Sequence, residues 1–134
     1  MNKSIYYILN FTWGIVMTLI GLFSALCLVC VGKRANTFGG CLWFAVGEKW
    51  GGVSLGIVII TGRETSLHTL KHEYGHSIQN ARYGIFFPFL VGIPSAFRYC
   101  KRRILQAKGH VLEPYDSVWY EAEATELGNK YLGG

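Results

Sequence analysis

The sequence predicts an α+β fold: an apolar N-terminal helix followed by a small domain of short strands and helices. Three observations carry this reading. An uncharged run extends from Ile5 to Val31, longer than the roughly 20 apolar residues that span a bilayer as a helix. "VSLGIVIIT", Val53 to Thr61, is rich in β-branched residues and reads as a strand. Two polar, alanine- and histidine-bearing stretches, one after Ser66 and one after Asp116, have the make-up of helices.

Taken in order, the N-terminal run is expected as one transmembrane helix. Tyr6, Tyr7 and Trp13 lie toward its start, where aromatic rings favour the interface, and Lys33 and Arg34 close it. A cleaved signal peptide has an apolar core of only about 7–15 residues and small residues at its cut site. "LCLVCVGKR" offers no such site. Lys3 stands on one side, and Lys33, Arg34 and Lys49 on the other, so the positive-inside rule places the bulk of the chain in the cytoplasm. The expected organisation is a membrane anchor over 1–34 and one domain over 35–134.

Composition agrees with a membrane location. Of the 134 residues, 51% are hydrophobic and only 16% charged, against a usual charged share of about 25%. Mean hydropathy is +0.26. The net charge of +5 then points to anionic lipid head groups. No nucleic-acid module accompanies it, and no nucleic-acid partner is expected. The four cysteines are Cys27, Cys30, Cys41 and Cys100. The first two lie within the apolar run and read as apolar residues rather than as a redox or metal pair.

Within the domain, Trp43 to Val46 is the expected partner of the Val53–Thr61 strand, joined through the stretch from Gly47 to Gly52. Thr65 or Ser66 caps a helix expected to continue through Asn80. The segment from Phe86 to Phe97 is apolar but short and carries Pro88 and Pro94. A straight span is excluded, and the segment is expected to dip into the membrane face. Arg98, Lys101, Arg102 and Arg103 follow it, a cluster suited to anionic head groups at about 1 kcal/mol per residue. The last helix is expected from Asp116 to Leu132.

The chemistry concentrates in "HEYGH", His72 to His76. Residues four apart stack on one helix face, so His72 and His76 can hold one zinc ion. Glu73 then stands beside the open coordination position, where it can act on water as a general base. The alternative is a helix whose polar face happens to be His and Glu. His68 shares the face one turn earlier, but a turn rises about 5.4 Å, so it is expected at the rim. A hydrolytic zinc usually takes three protein ligands. The extended form HExxHxxGxxH fails, because Gln79 and Arg82 occupy its Gly and His positions. An acid further along, in "WYEAEATELGNKYL", is left to complete the set.

HEYGH followed by Glu121-Ala122-Glu123-Ala124 resembles the gluzincin branch of zinc metallopeptidases, which carry HExxH and a later ExxA. The stretches "VGEKWGGVSLGIVIITG", "GIPSAFRY" and "EAEATELGNKY" also resemble small bacterial membrane-associated proteins with that pair. The resemblance implies a minimal zincin-like domain of short sheet, HExxH helix and C-terminal ligand helix. It implies Glu121 as third ligand, with Glu123 the alternative and Glu126 solvated. Where the family often has an aspartate after the alanine, this chain has Thr125, a weaker hydrogen-bonding support for a histidine. His110, Tyr115 and Tyr120 are candidates to steady a transition-state oxygen. By the same resemblance, the Val53–Thr61 strand would lie beside an extended peptide or membrane-protein substrate.

The expected function is thus that of a membrane-anchored zinc peptidase. Two other readings stand beside it. One is a membrane adaptor or scaffold that keeps the zinc fold with little or no turnover. The other is a deformylase-like hydrolase, since "GGCLW" places Cys41 upstream of HExxH, as in peptide deformylases, where that cysteine is a ligand.

Overall fold

The computed structural model describes residues 2–48 and 50–131. The expected juxtamembrane charge of Lys49 and the expected helix end at Leu132 lie outside the described residues. The architecture is α+β. In chain order come α1 (Lys3–Phe11), α2 (Ile15–Cys30), β1 (Asn36–Phe38), β2 (Cys41–Ala45), β3 (Gly52–Leu55), β4 (Val58–Thr61), α3 (Leu67–Tyr83), α4 (Ile93–Ala107) and α5 (Trp119–Tyr131).

The N-terminal run is not one straight helix. α1 and α2 meet at 93°, and no single helix is long and apolar enough to cross a membrane; only the bent pair together has the length and composition. This corrects the expected span from Ile5 to Val31. The cause lies in polar groups buried at the corner. Thr12 turns its hydroxyl back onto the Ile8 carbonyl at 2.6 Å, which competes with continued helix. Asn10 accepts from Asn80 Nδ2 at 2.6 Å and its backbone carbonyl accepts from Thr18 Oγ1 at 2.7 Å. The Asn80 amide also donates to the Gly14 carbonyl, and the Trp13 indole donates to the Ala81 carbonyl. Asn10, a mild interruption in the sequence, is therefore half of a buried pair with α3. Tyr6 and Ala25 join Phe44, Ile59 and Ile78 in one core, so residues 1–34 pack as part of the domain rather than apart from it.

The sheet is mixed, with strand order β1-β2-β4-β3. Val53–Thr61, expected as one strand, is a tight hairpin: β3 pairs antiparallel with β4, with Leu55 opposite Val58. Gly56, at φ +64°, supplies the positive φ that two-residue hairpin loops require. The β-branched half, Val58 to Thr61, becomes the buried central strand and pairs parallel with β2. The expected partnership of Trp43–Val46 with this region holds, but through β4. β1 is a strand the sequence reading left as glycine-rich loop; it pairs with β2 across the turn at Gly39 and Gly40. β3 is left at the sheet edge.

After α3, a 3₁₀ turn (Gly84–Phe86) and a π-type turn (Pro88–Gly92) lead into α4. The two prolines sit at first-turn positions, where a missing N–H costs nothing. This irregular path agrees with the exclusion of a straight span. Phe86, Phe89 and Phe97 remain exposed, as do Leu19, Phe23 and Leu26 on α2.

Replacing Asn80 by Ala strips the Asn10 carbonyl and the Gly14 carbonyl of their shared donor. Leaving buried acceptors unpaired costs about 2 kcal/mol, and the thermal unfolding temperature is expected to fall accordingly; an unchanged midpoint would remove the corner pair from this account.

Candidate metal centre

Ser66 caps α3 by accepting from the Thr69 N–H at 3.1 Å, which sets the helix phase. His72, Glu73 and His76 then share a buried face, each 6% exposed. The imidazole rings lie 4.7 Å apart, nearly perpendicular. From α5, Glu121 reaches them with no exposure at all. One ligand atom from each of His72, His76 and Glu121 lies within 4.8 Å of the others. His76 Nε2 is 3.1 Å from Glu121 Oε1, and His72 Nε2 is 3.5 Å from Glu121 Oε2.

This convergence depends on how closely α3 and α5 cross. A Cβ on Gly75 would fall 1.8 Å from the Ala124 carbonyl oxygen, and one on Gly128 would fall 1.8 Å from the Lys71 carbonyl oxygen. Two glycines, with the fully buried Ala124 between them, let the backbones touch. Gly75, a weak spot in a helix by propensity, is the residue that admits the ligand helix.

The outer nitrogens of the histidines are already taken. His72 Nδ1 lies 2.8 Å from Thr125 Oγ1, and His76 Nδ1 lies 2.7 Å from Gln79 Oε1. The Gln79 amide nitrogen donates to the Tyr120 carbonyl and to Glu123, so its oxygen faces His76 and can only accept. His76 must donate through Nδ1, which for a neutral ring leaves the Nε2 lone pair aimed at the triad. His72 Nε2 and Glu121 Oε2 are buried with no hydrogen-bond partner. Buried polar atoms without partners are rare and call for an explanation. A divalent cation supplies one: ligand atoms around a tetrahedral ion at about 2.1 Å lie about 3.4 Å apart, close to the spacings seen here. The donor set, two imidazoles and a carboxylate, suits zinc and other borderline divalent ions. The residues fit a metal ion, and the geometry leaves its identity open.

The charges are arranged to match. Burial would raise the Glu121 carboxyl, but hydrogen bonds from His72 and His76 hold it well below the usual carboxylate range. Glu73 goes the other way: burial pushes it up against the lowering influence of His76 and His72. Tyr115 lies beside the site, its ring 5.8 Å from that of His72. Burial and the Glu121 charge push its hydroxyl up, so it stays protonated and can donate.

The comparisons with known proteins add no name to this geometry: no family model, curated protein or solved structure matches the chain.

The remaining candidates scatter. His68 is exposed and lines a small cavity beside His72. His110 is exposed beyond the end of α4, away from the triad's cavities. Tyr120 packs its ring with Phe87 and Val91. Glu123, the alternative ligand, instead accepts from Tyr83 and Gln79, while Glu126 is exposed. Cys41 stands outside the triad, buried against Tyr6 and Ser77. Gln79 was legible only as a failed motif position, yet it orients His76. Ser95, which donates to Glu121 Oε1 at 2.9 Å, carried no signal in the sequence. Two of the four basic residues expected at head groups turn inward: Arg98 donates to the Tyr115 carbonyl and to Ser117 Oγ, and Arg102 donates to the Glu113 carbonyl. Their guanidinium carbons lie 5.0 and 5.2 Å from the centre of the Tyr115 ring, so they hold that tyrosine in place.

Gln79→Ala frees the His76 ring and is expected to weaken zinc binding about 10–100-fold, measured by competition with a chromophoric chelator. Gly75→Ala drives the two helices apart, costs about 3 kcal/mol or more, and is expected to lose metal as well as thermal stability. Retention of full zinc affinity by both variants would contradict the geometry described here.

Burial pushes the Cys41 thiol from 9.0 up to about 11, whereas Cys27, Cys30 and Cys100 are exposed. Three cysteines are therefore expected to alkylate readily at pH 8, with Cys41 protected until unfolding. Because the folded state favours the neutral thiol, its contribution to stability is complete below pH 9 and declines as pH rises from 9 to 11. Rapid alkylation of Cys41 in the folded protein would contradict its placement.

Proposed function

We propose that the chain is a membrane-associated zinc metallopeptidase, with His72, His76 and Glu121 as ligands and Glu73 as general base. The observation that carries this reading is the buried His-His-Glu cluster with a fourth, carboxylate-bearing side chain beside it, open to a cleft. A zinc ion held there supplies Lewis acidity and lowers the pKa of water in the cleft.

The chain's own residues account for the rest. Glu73 lines both cavities that meet at the triad. With its proton affinity raised by burial, it is a suitable acceptor for the proton of an attacking water and donor of that proton to the leaving amine. The protonated Tyr115 hydroxyl faces the same space and can donate to oxygen that gains charge at the reacting carbonyl. Thr125 and Gln79 hold the two rings. β3, at the sheet edge and lining the cleft, offers main-chain groups to an extended peptide.

Membrane association is supported by the exposed aromatic and aliphatic side chains of α2 and of the 85–97 region. The bent α1–α2 pair supports a broken or re-entrant insertion more than a straight single-pass anchor. Lys101 stays exposed beside this surface and suits anionic head groups. The deformylase-like reading loses its support, since Cys41 lies away from the triad.

Glu73→Gln separates catalysis from metal binding. The variant is expected to keep zinc and lose about 10²–10⁴-fold in kcat/KM on a peptide that the wild type cleaves. Glu121→Ala is expected to lose the metal itself. An absence of cleavage by the zinc-loaded wild type, with a partner protein still bound, would favour the scaffold reading.

A further inference from the structure

We infer that the cleft takes a polypeptide whose composition changes from apolar to polar at the cleaved bond, as at the end of a membrane-buried segment. This deepens the peptidase reading and rests on it for the word cleaved; the groove itself stands on separate observations.

Two cavities, of ≈ 460 and ≈ 320 Å³, share Gly52, Glu73, Tyr99 and Tyr115. They form one groove with the triad at its middle. Each volume falls in the range of roughly 300–1,000 Å³ usual for binding clefts. The two halves differ in chemistry. The larger is walled by Met17 and Ile20 of α2 and by Val91, Ile93 and Ala96 before and within α4. The smaller is walled by His68, Thr69, Asp116 and Thr125. Ile20 and Ile93 line the groove while remaining 47% and 61% exposed, so the apolar half opens onto the exposed apolar surface of α2 and α4.

A polypeptide, rather than another apolar ligand, is indicated by the wall that β3 provides. β3 has no strand on its outer side, and an unpaired edge is a template for an added strand. Ser54, in the middle of β3, is 7% exposed and lines the apolar half, and its hydroxyl has no hydrogen-bond partner. A buried hydroxyl in an apolar wall is costly unless something bonds it. A main chain lying along β3 offers it amide groups, and its apolar side chains fill the space toward Ile20 and Ile93. An acyl chain fills the space but satisfies neither the hydroxyl nor the strand edge.

The test uses the full chain in detergent, loaded with zinc, and three quenched fluorogenic peptides of equal length: apolar then polar, polar then apolar, and polar throughout. One of the two block peptides is expected to be cut at its boundary with kcat/KM at least about tenfold above the polar peptide, since burying one or two aliphatic side chains is worth that or more. Ala96→Trp, an exposed position on the apolar wall, is expected to lower that ratio. Equal or faster cleavage of the polar peptide overturns the inference and leaves the peptidase reading intact. Should no peptide be cut, anisotropy with labelled peptides and Glu73→Gln protein decides. Tighter binding of a block peptide, weakened by Ala96→Trp, sustains the groove assignment while the peptidase reading fails. Equal binding of all three, or saturable binding of a free fatty acid without binding of a block peptide, overturns it.

Discussion

The close crossing of α3 and α5 is the constraint on which the rest depends. HExxH alone gives two imidazoles on one face of a helix. The third ligand arrives because Gly75, Ala124 and Gly128 let two backbones come into contact, which lowers Glu121 onto the imidazole pair. Both histidines are then locked from behind, by Thr125 across the same crossing and by Gln79 on α3 itself. Gln79 is anchored in turn to α5 through the Tyr120 carbonyl and Glu123. The helix interface and the ligand set are therefore one structure, and a change in either is felt by the other.

The same logic extends to the elements around the triad. The α1–α2 corner is tied to α3 through Asn10 and Asn80, so the apolar N-terminal helices brace the helix that carries HExxH. α4 contributes Ser95 to Glu121 and, through Arg98 and Arg102, fixes Tyr115 beside His72. A small chain with few charged residues spends several of them on holding one tyrosine and one carboxylate in place.

How much of this was legible in the sequence follows from the range of the interactions involved. His72, Glu73 and His76 sit at a fixed spacing within one helix, so local periodicity sufficed to group them. Glu121 could be named from its pattern of neighbours, but its approach depends on glycines whose purpose shows only when two helices meet. Gln79 looked like a mismatch because its partners lie on α5. The kink at Thr12–Gly14 was hidden because hydropathy counts apolar residues and does not register that Asn10 has a mate seventy residues away. The β3–β4 turn at Gly56 was present in the sequence; a β-branched run on both sides of a single glycine disguised a hairpin as one strand. Arg98 and Arg102 read as surface charge for the same reason that Asn10 read as a minor interruption: their partners are distant in sequence.

X-ray absorption at the zinc edge of the purified, zinc-loaded protein addresses the central claim most directly. The account predicts a shell of nitrogen and oxygen at about 2.0–2.1 Å with the outer-shell pattern of two imidazoles and no sulfur. A sulfur scatterer at about 2.3 Å, or a shell without imidazole, would contradict it.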